Sequence, residues 1–336
     1  MNNQIKVCYV GDYSGHLDEG IKNISYHLSH EYSGHIIITR SDISKIYTFS
    51  FWRTFYNNKP DIIHYLAGPS LFSLVIANIM KRIARSKLII SATHPAIGNY
   101  SYNMARFFRP DLILTQSDDH RHFFENIGFN VRHLANGVDL DTFHTVTNEE
   151  KNRIRIKYGF SKDDFVILHV GHMTRKRGLN LLEYIRKNIQ DEDLRFLLII
   201  STHAKIDKSI ERTMNDLGCL IYKGYFENIK DFYHISDLYI FPAIEGNSVA
   251  TPLSVLEAIA CGLPVVSRKF GSLSKLFDEN DGLYIFHDHK SLLKIINNIK
   301  NNRDLDNRSA YRNKIYMYSW SRVRYELEEI YETYKI

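Results

Sequence analysis

The chain has 336 residues, 44% hydrophobic and 24% charged, with a formal charge of +5 at pH 7. Its length exceeds one ordinary hydrophobic core and argues for two domains of roughly 150 to 180 residues each, while its composition excludes an extended disordered protein. Residues 1 to 150 hold fourteen Lys or Arg against fourteen Asp or Glu, so the excess lies in the second half; no basic tail or recognised motif accompanies it, and nucleic acid is not an expected partner.

The first apolar run, IKVCYV, is strand-like and lacks the long core of a signal peptide. No apolar run reaches eighteen residues, so neither secretion nor a membrane span is expected. Cys8, Cys219 and Cys261 each lie in or beside an apolar segment, without metal-ligand spacing. They fit a reduced compartment, and the cytoplasm is the expected location. The loop after the first run, GDYSGHLDEG, brings Gly11, Gly15 and Gly20 to a helix start, where free amides favour an anion; an ordinary βα turn is the alternative. HIIITR, DIIHYLA, KLIISAT and DLILTQS follow, separated by helical patterns. This alternation predicts a parallel sheet with helices on both faces. LFSLVIANIMKRIARSK, residues 71 to 87, reads as a buried helix with a solvated basic end, or as a surface that docks on a membrane. His94 falls just past a strand end, before Pro95 and Gly98, and its ring is expected to face a ligand cleft.

NVRHLANGVDLDTF carries the turn pair Asn136-Gly137, and the polar stretch after it is strand-poor. The expected division is a first domain over 1–145, a linker over 146–164, a second domain over 165–318 and a final helix over 319–336. The second set of strands comprises FVILHVG, RFLLIIST, CLIYKG, DLYIFP, PVVS and GLYIF. After its first strand, VGHMTRKRGLNLLEYI crowds Arg175, Lys176 and Arg177 into a loop that feeds a helix near Leu179. Cations beside helix N-terminal amides suit a diphosphate, with Gly171 permitting close approach and His172 adding a donor. In EGNSVATPLSVLEAIACGLPVVS, Thr251 and Pro252 read as the start of a helix and Gly262 and Pro264 as its stop. Leu253 to Ala260 shows no water-facing side, so Glu257 requires a partner. A structural Arg, backbone amides or the hydroxyls of a ligand such as ribose would serve.

These blocks together resemble the retaining, nucleotide-sugar-dependent glycosyltransferases of family 4, over nearly the whole chain. The most specific are KGYFENIKDFYHISDLYIFP and PLSVLEAIACGLPVVS followed by GSLSKLFDENDGLYIF; WSRVRYELEEIYETY is similar to the closing helices of that family. The resemblance implies the GT-B fold, an α/β architecture of two Rossmann-like, doubly wound parallel-sheet domains facing a central cleft. It implies that Glu257 holds the donor ribose, with Tyr225 beside the nucleotide, and that Arg177, Lys176, His172 and Gly15 attend the diphosphate. It places His94 near the reacting sugar and Asn247, Ser248, Thr251, Pro252 and Leu253 in the donor-sugar loop. Two positions depart from the family: His172 replaces an Arg, and Val249 stands where the first Glu of an E-x7-E pair is expected. Glu245, four residues earlier, is the candidate substitute.

The implied activity is transfer of a sugar from a UDP- or GDP-sugar to a hydroxyl acceptor with retention, in cell-surface glycan or glycoconjugate synthesis. The nucleotide sugar is a substrate, and neither cofactor nor metal is expected. Expected partners are that donor, a glycan, lipid-linked or small-molecule acceptor, and peripheral contact with the cytoplasmic face of a membrane. A non-catalytic nucleotide-sugar-binding subunit and a sugar-nucleotide 2-epimerase are the alternatives.

Overall fold

The computed structural model describes residues 5–11, 20–29, 36–66, 68–93, 102–243, 251–269, 271–303 and 308–335. The chain divides into two units, Met1–Asn136 with Trp320–Ile336, and Gly137–Ser319.

The first unit contains strands β1 (Val7–Val10), β2 (Ile36–Ile38), β3 (Ile62–Tyr65), β4 (Lys87–Ser91), β5 (Leu112–Thr115) and β6 (Val131–His133). They form one parallel sheet in the order β2-β1-β3-β4-β5-β6. β1, β3 and β5 are buried along their whole length, which is why each reads as an uninterrupted apolar run and not as an alternating one. One face packs Cys8, Val10, Ile63 and Tyr65 against Phe51 and Phe55 of helix Phe49–Asn58 and Leu74, Ala77 and Met80 of helix Leu71–Ala84. Because side chains alternate along a strand, Tyr9 and His64 point to the other face. There the Nδ1 of His64 lies 2.6 Å from the hydroxyl of Tyr331, in helix Trp320–Thr333, and its Nε2 lies 2.8 Å from the Oγ of Ser91. The Tyr331 hydroxyl donates to that of Tyr9 at 3.2 Å. Burial drives the pKa of His64 down to about 3, so the ring is neutral, donating through Nδ1 and accepting from Ser91.

The second unit contains β7 (Phe165–Gly171), β8 (Leu194–Ile200), β9 (Leu220–Lys223), β10 (Leu238–Phe241), β11 (Val265–Ser267) and β12 (Leu283–Ile285). The parallel order is β12-β11-β10-β7-β8-β9. From β7 the chain runs outward through β8 and β9, then returns to β10 and runs outward the other way. The sheet therefore reverses its winding between β7 and β10.

The unit boundary falls at Asn136/Gly137, not at 145, and the stretch 146–164 expected as a linker contains helix Asn148–Lys157. Thr147 caps that helix by accepting from the amide of Glu150. The residues it buries are Lys151 and Arg155. Both reach Asp237, just before β10: the Lys151 Nζ lies 2.6 Å from its Oδ1 and the Arg155 Nη2 lies 2.6 Å from its Oδ2. Arg303 adds a third cation at 3.2 Å. The remaining donors of Arg155 go to the carbonyls of Ile235, Ser161 and Lys162. Burial pushes the pKa of Asp237 up, but Lys151, Arg155 and Arg303 outweigh it and hold the value below the ordinary aspartate range. A helix docked by buried charge instead of an apolar stripe leaves no hydrophobic period to read.

Candidate functional site

Helix Leu253–Ala260 follows β10. It spans the residues expected of it, with Pro252 at the N-cap position expected of Thr251, whose hydroxyl lies 2.8 Å from that of Ser272. Gly262, at φ +74°, ends the helix as expected. Most of the helix is buried, yet Leu253, Ser254 and Glu257 are only partly so. Spaced i, i+1 and i+4, they form one open stripe, which corrects the expectation of burial on all sides.

Glu257 finds its partner in Tyr233 of helix Ile229–Ile235, whose hydroxyl donates to Oε2 at 2.5 Å. Of the alternatives weighed from sequence, neither Arg nor backbone amides satisfies it among the described residues. Burial raises the Glu257 pKa to about 7, against the opposing effect of the Tyr233 hydrogen bond. The carboxyl group is thus poised between its charged and neutral forms near neutrality. Beside it, the Tyr239 hydroxyl of β10 lies 2.7 Å from the Ser254 Oγ and 3.2 Å from the carbonyl of Val170 in β7.

Arg177 reaches the same strand ends from the other side. Arg175–Arg177 forms a 3-10 turn closed by Gly178 at φ +68°, and helix Asn180–Asn188 follows. Within that turn Arg175 pairs with Asp207 at 3.3 Å, Lys176 is exposed and Arg177 is partly buried. The Arg177 guanidinium carbon stands 5.9 Å from the Phe241 ring centroid. Burial lowers the Arg177 pKa, with Tyr239 acting in the opposite direction; a guanidinium still stays charged at any physiological pH. No carboxylate among the described residues pairs with it. A partly buried arginine without a counter-charge favours an incoming anion.

Gly171 ends β7 at φ +154°, and a Cβ there would come within 3.3 Å of the His169 Nε2. Glycine keeps this backbone open to close approach. His169 is buried, its Nδ1 is 3.2 Å from the carbonyl of Ile240, and burial lowers its pKa to about 4. His172 is partly buried close by.

Arg177, Tyr239, Ser254, Glu257 and Tyr233 therefore gather at the carboxyl ends of β7 and β10, the switch point of the sheet, where open α/β sheets take ligands. Tyr225, 45% exposed, follows the carboxyl end of the edge strand β9. Thr251 and Pro252 are buried and Leu253 half-buried. The expectations for Gly15, His94, Glu245, Asn247 and Ser248 fall outside the described residues. Tyr233, Tyr239 and Ser254 were not singled out from sequence, although all three lie inside the blocks that carry the family resemblance. Among the described residues no group of three or more His, Cys, Asp or Glu is arranged to hold a metal, and no helix is long and apolar enough to cross a membrane.

Residues 150–316 match the glycosyl transferases group 1 family. The alpha-galactosylglucosyldiacylglycerol synthase of Streptococcus pneumoniae is 23% identical over 159 residues, 45% of this chain and 41% of that one. The D-inositol 3-phosphate glycosyltransferase of Paenarthrobacter aurescens is 27% identical over 165 residues, 46% of this chain and 39% of that one. These matches span well under half the length of those relatives. HepE of Anabaena, solved in complex with UDP and with UDP-glucose, superposes with a TM-score of 0.79 in both, at 14% identity, over 98% of this chain and 100% of that one. Through residues 150–316 the chain belongs to the glycosyl transferases group 1, and its two Rossmann-like units carry the GT-B fold.

Proposed function

We propose that the protein transfers a sugar from a UDP- or GDP-sugar to a hydroxyl acceptor with retention of configuration, as a step in cell-surface glycan or glycoconjugate synthesis. The observation that carries this reading is the presence, at one switch point, of Arg177, which pairs with no carboxylate among the described residues, and of Glu257 on the open stripe of its helix. They are suited to the two ends of a nucleoside diphosphate. Arg177 and the amides of the 171–178 loop meet the diphosphate, with Lys176 and His172 alongside, while Glu257 accepts the ribose hydroxyls. That HepE binds UDP and UDP-glucose supports the donor class.

In the reaction the bond from the anomeric carbon to the diphosphate oxygen breaks, the acceptor oxygen bonds to the same face of that carbon, and the acceptor's hydroxyl proton passes to the departing diphosphate. Negative charge grows on the leaving diphosphate, where preoriented cations and amides stabilise it without a metal. His94 attends the reacting sugar, Glu245 supplies the sugar-binding carboxylate absent at Val249, Asn247 and Ser248 belong to the donor-sugar loop, and Gly15 attends the diphosphate. The reading places the protein in the cytoplasm with peripheral contact to a membrane. His172, in place of an Arg, favours a second reading as a non-catalytic nucleotide-sugar binder, which turnover of any donor would exclude.

Calorimetric titration of Arg177→Ala tests the assignment. Loss of a charge-assisted contact of roughly 1.5 to 3 kcal/mol weakens UDP or GDP about 10- to 150-fold, while uridine and guanosine bind as before. Equal losses for nucleoside and nucleoside diphosphate would overturn it.

A further inference from the structure

The basic residues of the first unit are not spread evenly. Between residues 43 and 110 there are nine Lys or Arg and one acidic residue, Asp61, whose carboxylate is engaged by the amide of Lys6 at 2.8 Å. The same segment supplies half of the exposed large apolar side chains among the described residues. Tyr47 is 95% exposed and Phe49 81%, at the start of helix Phe49–Asn58, and Tyr56 follows two turns on. Phe72 opens helix Leu71–Ala84, and Met104 and Phe107 lie in and just after helix Tyr102–Ala105. The first two helices lie side by side and the third packs against the second. Their inner residues join one core on one face of the sheet, so their exposed residues share the outer surface of that layer.

Cations and rings are interleaved on this surface. The Lys59 Nζ stands 6.0 Å from the Tyr56 ring centroid, and the Arg106 guanidinium 5.2 Å from that of Phe107. Arg53 and Arg82 are also exposed. An acidic protein partner or duplex nucleic acid would be met by the cations and leave Phe49, Phe72 and Phe107 without a role, and a single strand, whose bases stack on rings, would leave Met104 without one. A bilayer bearing anionic lipids accounts for both: rings and thioether enter the headgroup boundary, and cations meet the surface potential. We propose that the outer face of these three helices docks on an anionic membrane surface. The inference deepens the peripheral contact named above by assigning its residues, and it does not depend on donor chemistry.

Co-sedimentation of the full chain with phosphatidylcholine vesicles, with and without phosphatidylglycerol, tests it. Binding is expected only with the anionic lipid. Each exposed cation contributes about 5-fold, so Arg53→Glu with Arg106→Glu reduces binding by at least roughly 25-fold. Phe49→Ser with Phe107→Ser reduces it comparably, and Ile156→Ser, an exposed apolar change in the second unit, leaves it unchanged. All these positions are exposed, and circular dichroism checks that each variant is folded. Absent binding, equal binding to neutral vesicles, or indifference to the two phenylalanines overturns the proposal. So does binding of a single-stranded oligonucleotide as tight as that of the anionic vesicles. Failure of nucleotide binding in the Arg177 experiment leaves these readings unaffected, so the two proposals fail separately.

Discussion

Replacing Glu257 by Gln keeps the shape of the side chain and removes its charge. Because the folded pKa is about 7 against an ordinary 4.5, the folded protein holds this proton more tightly than the unfolded chain does. Stability is therefore undiminished by this group below about pH 4.5, falls as pH rises through the interval to 7, and stays reduced above it. The interval corresponds to a ceiling of about 3 kcal/mol, and the hydrogen bond from Tyr233, which favours the charged form, lies within that figure. The variant should gain most of it at pH 8, where a unit of this size shifts its melting temperature by roughly 2 to 4 °C per kcal/mol. Thermal unfolding of parent and variant across pH 4 to 9 measures the difference. It should grow from near zero at the acid end to several degrees at the alkaline end, while the variant loses affinity for UDP or GDP but not for their 2′,3′-dideoxy analogues. A variant less stable than the parent at pH 8, or a difference indifferent to pH, would refute the reasoning.

Asp237→Ala strands Lys151 and Arg155 in the interior without a counter-charge and should cost about 3 to 5 kcal/mol in urea unfolding. Lys151→Met should cost less, since Asp237 keeps two cations. Tyr331→Phe removes the acceptor from the buried Nδ1 of His64 and should cost about 1 to 3 kcal/mol. Hydrogen exchange should accelerate in Trp320–Thr333 while amides of the second unit keep their protection.

Eleven of the twelve strands fall inside apolar runs visible in the sequence, since covered strands need no alternation and stand out against polar connections; β6, Val-Arg-His at a sheet edge with its last two residues exposed, carries no such run. Arg177 was legible because three consecutive cations before a helix have few purely structural uses. The parts that escaped depend on partners distant in the chain. Glu257 announced its need for a partner, but Tyr233, 24 residues earlier, could be recognised only once helix Ile229–Ile235 and helix Leu253–Ala260 were seen to converge. The helix Asn148–Lys157 passed for a linker because its inward residues are cations, and Asp237, which draws them in, lies more than eighty residues away. The contact of the Thr251 hydroxyl with that of Ser272, 21 residues on, was likewise not legible.

The first unit is discontinuous: the second, Gly137–Ser319, is inserted between its sheet and its last helix. During synthesis, strands β1 to β6 leave the ribosome long before Trp320–Thr333 does. Until that helix arrives, the Nδ1 of His64 lacks its acceptor and Tyr9 its donor, and the part of the sheet face that the helix covers stays open. The nascent first unit therefore offers chaperones an incompletely covered sheet face for as long as it takes to make the entire second unit, and the order of completion is second unit first.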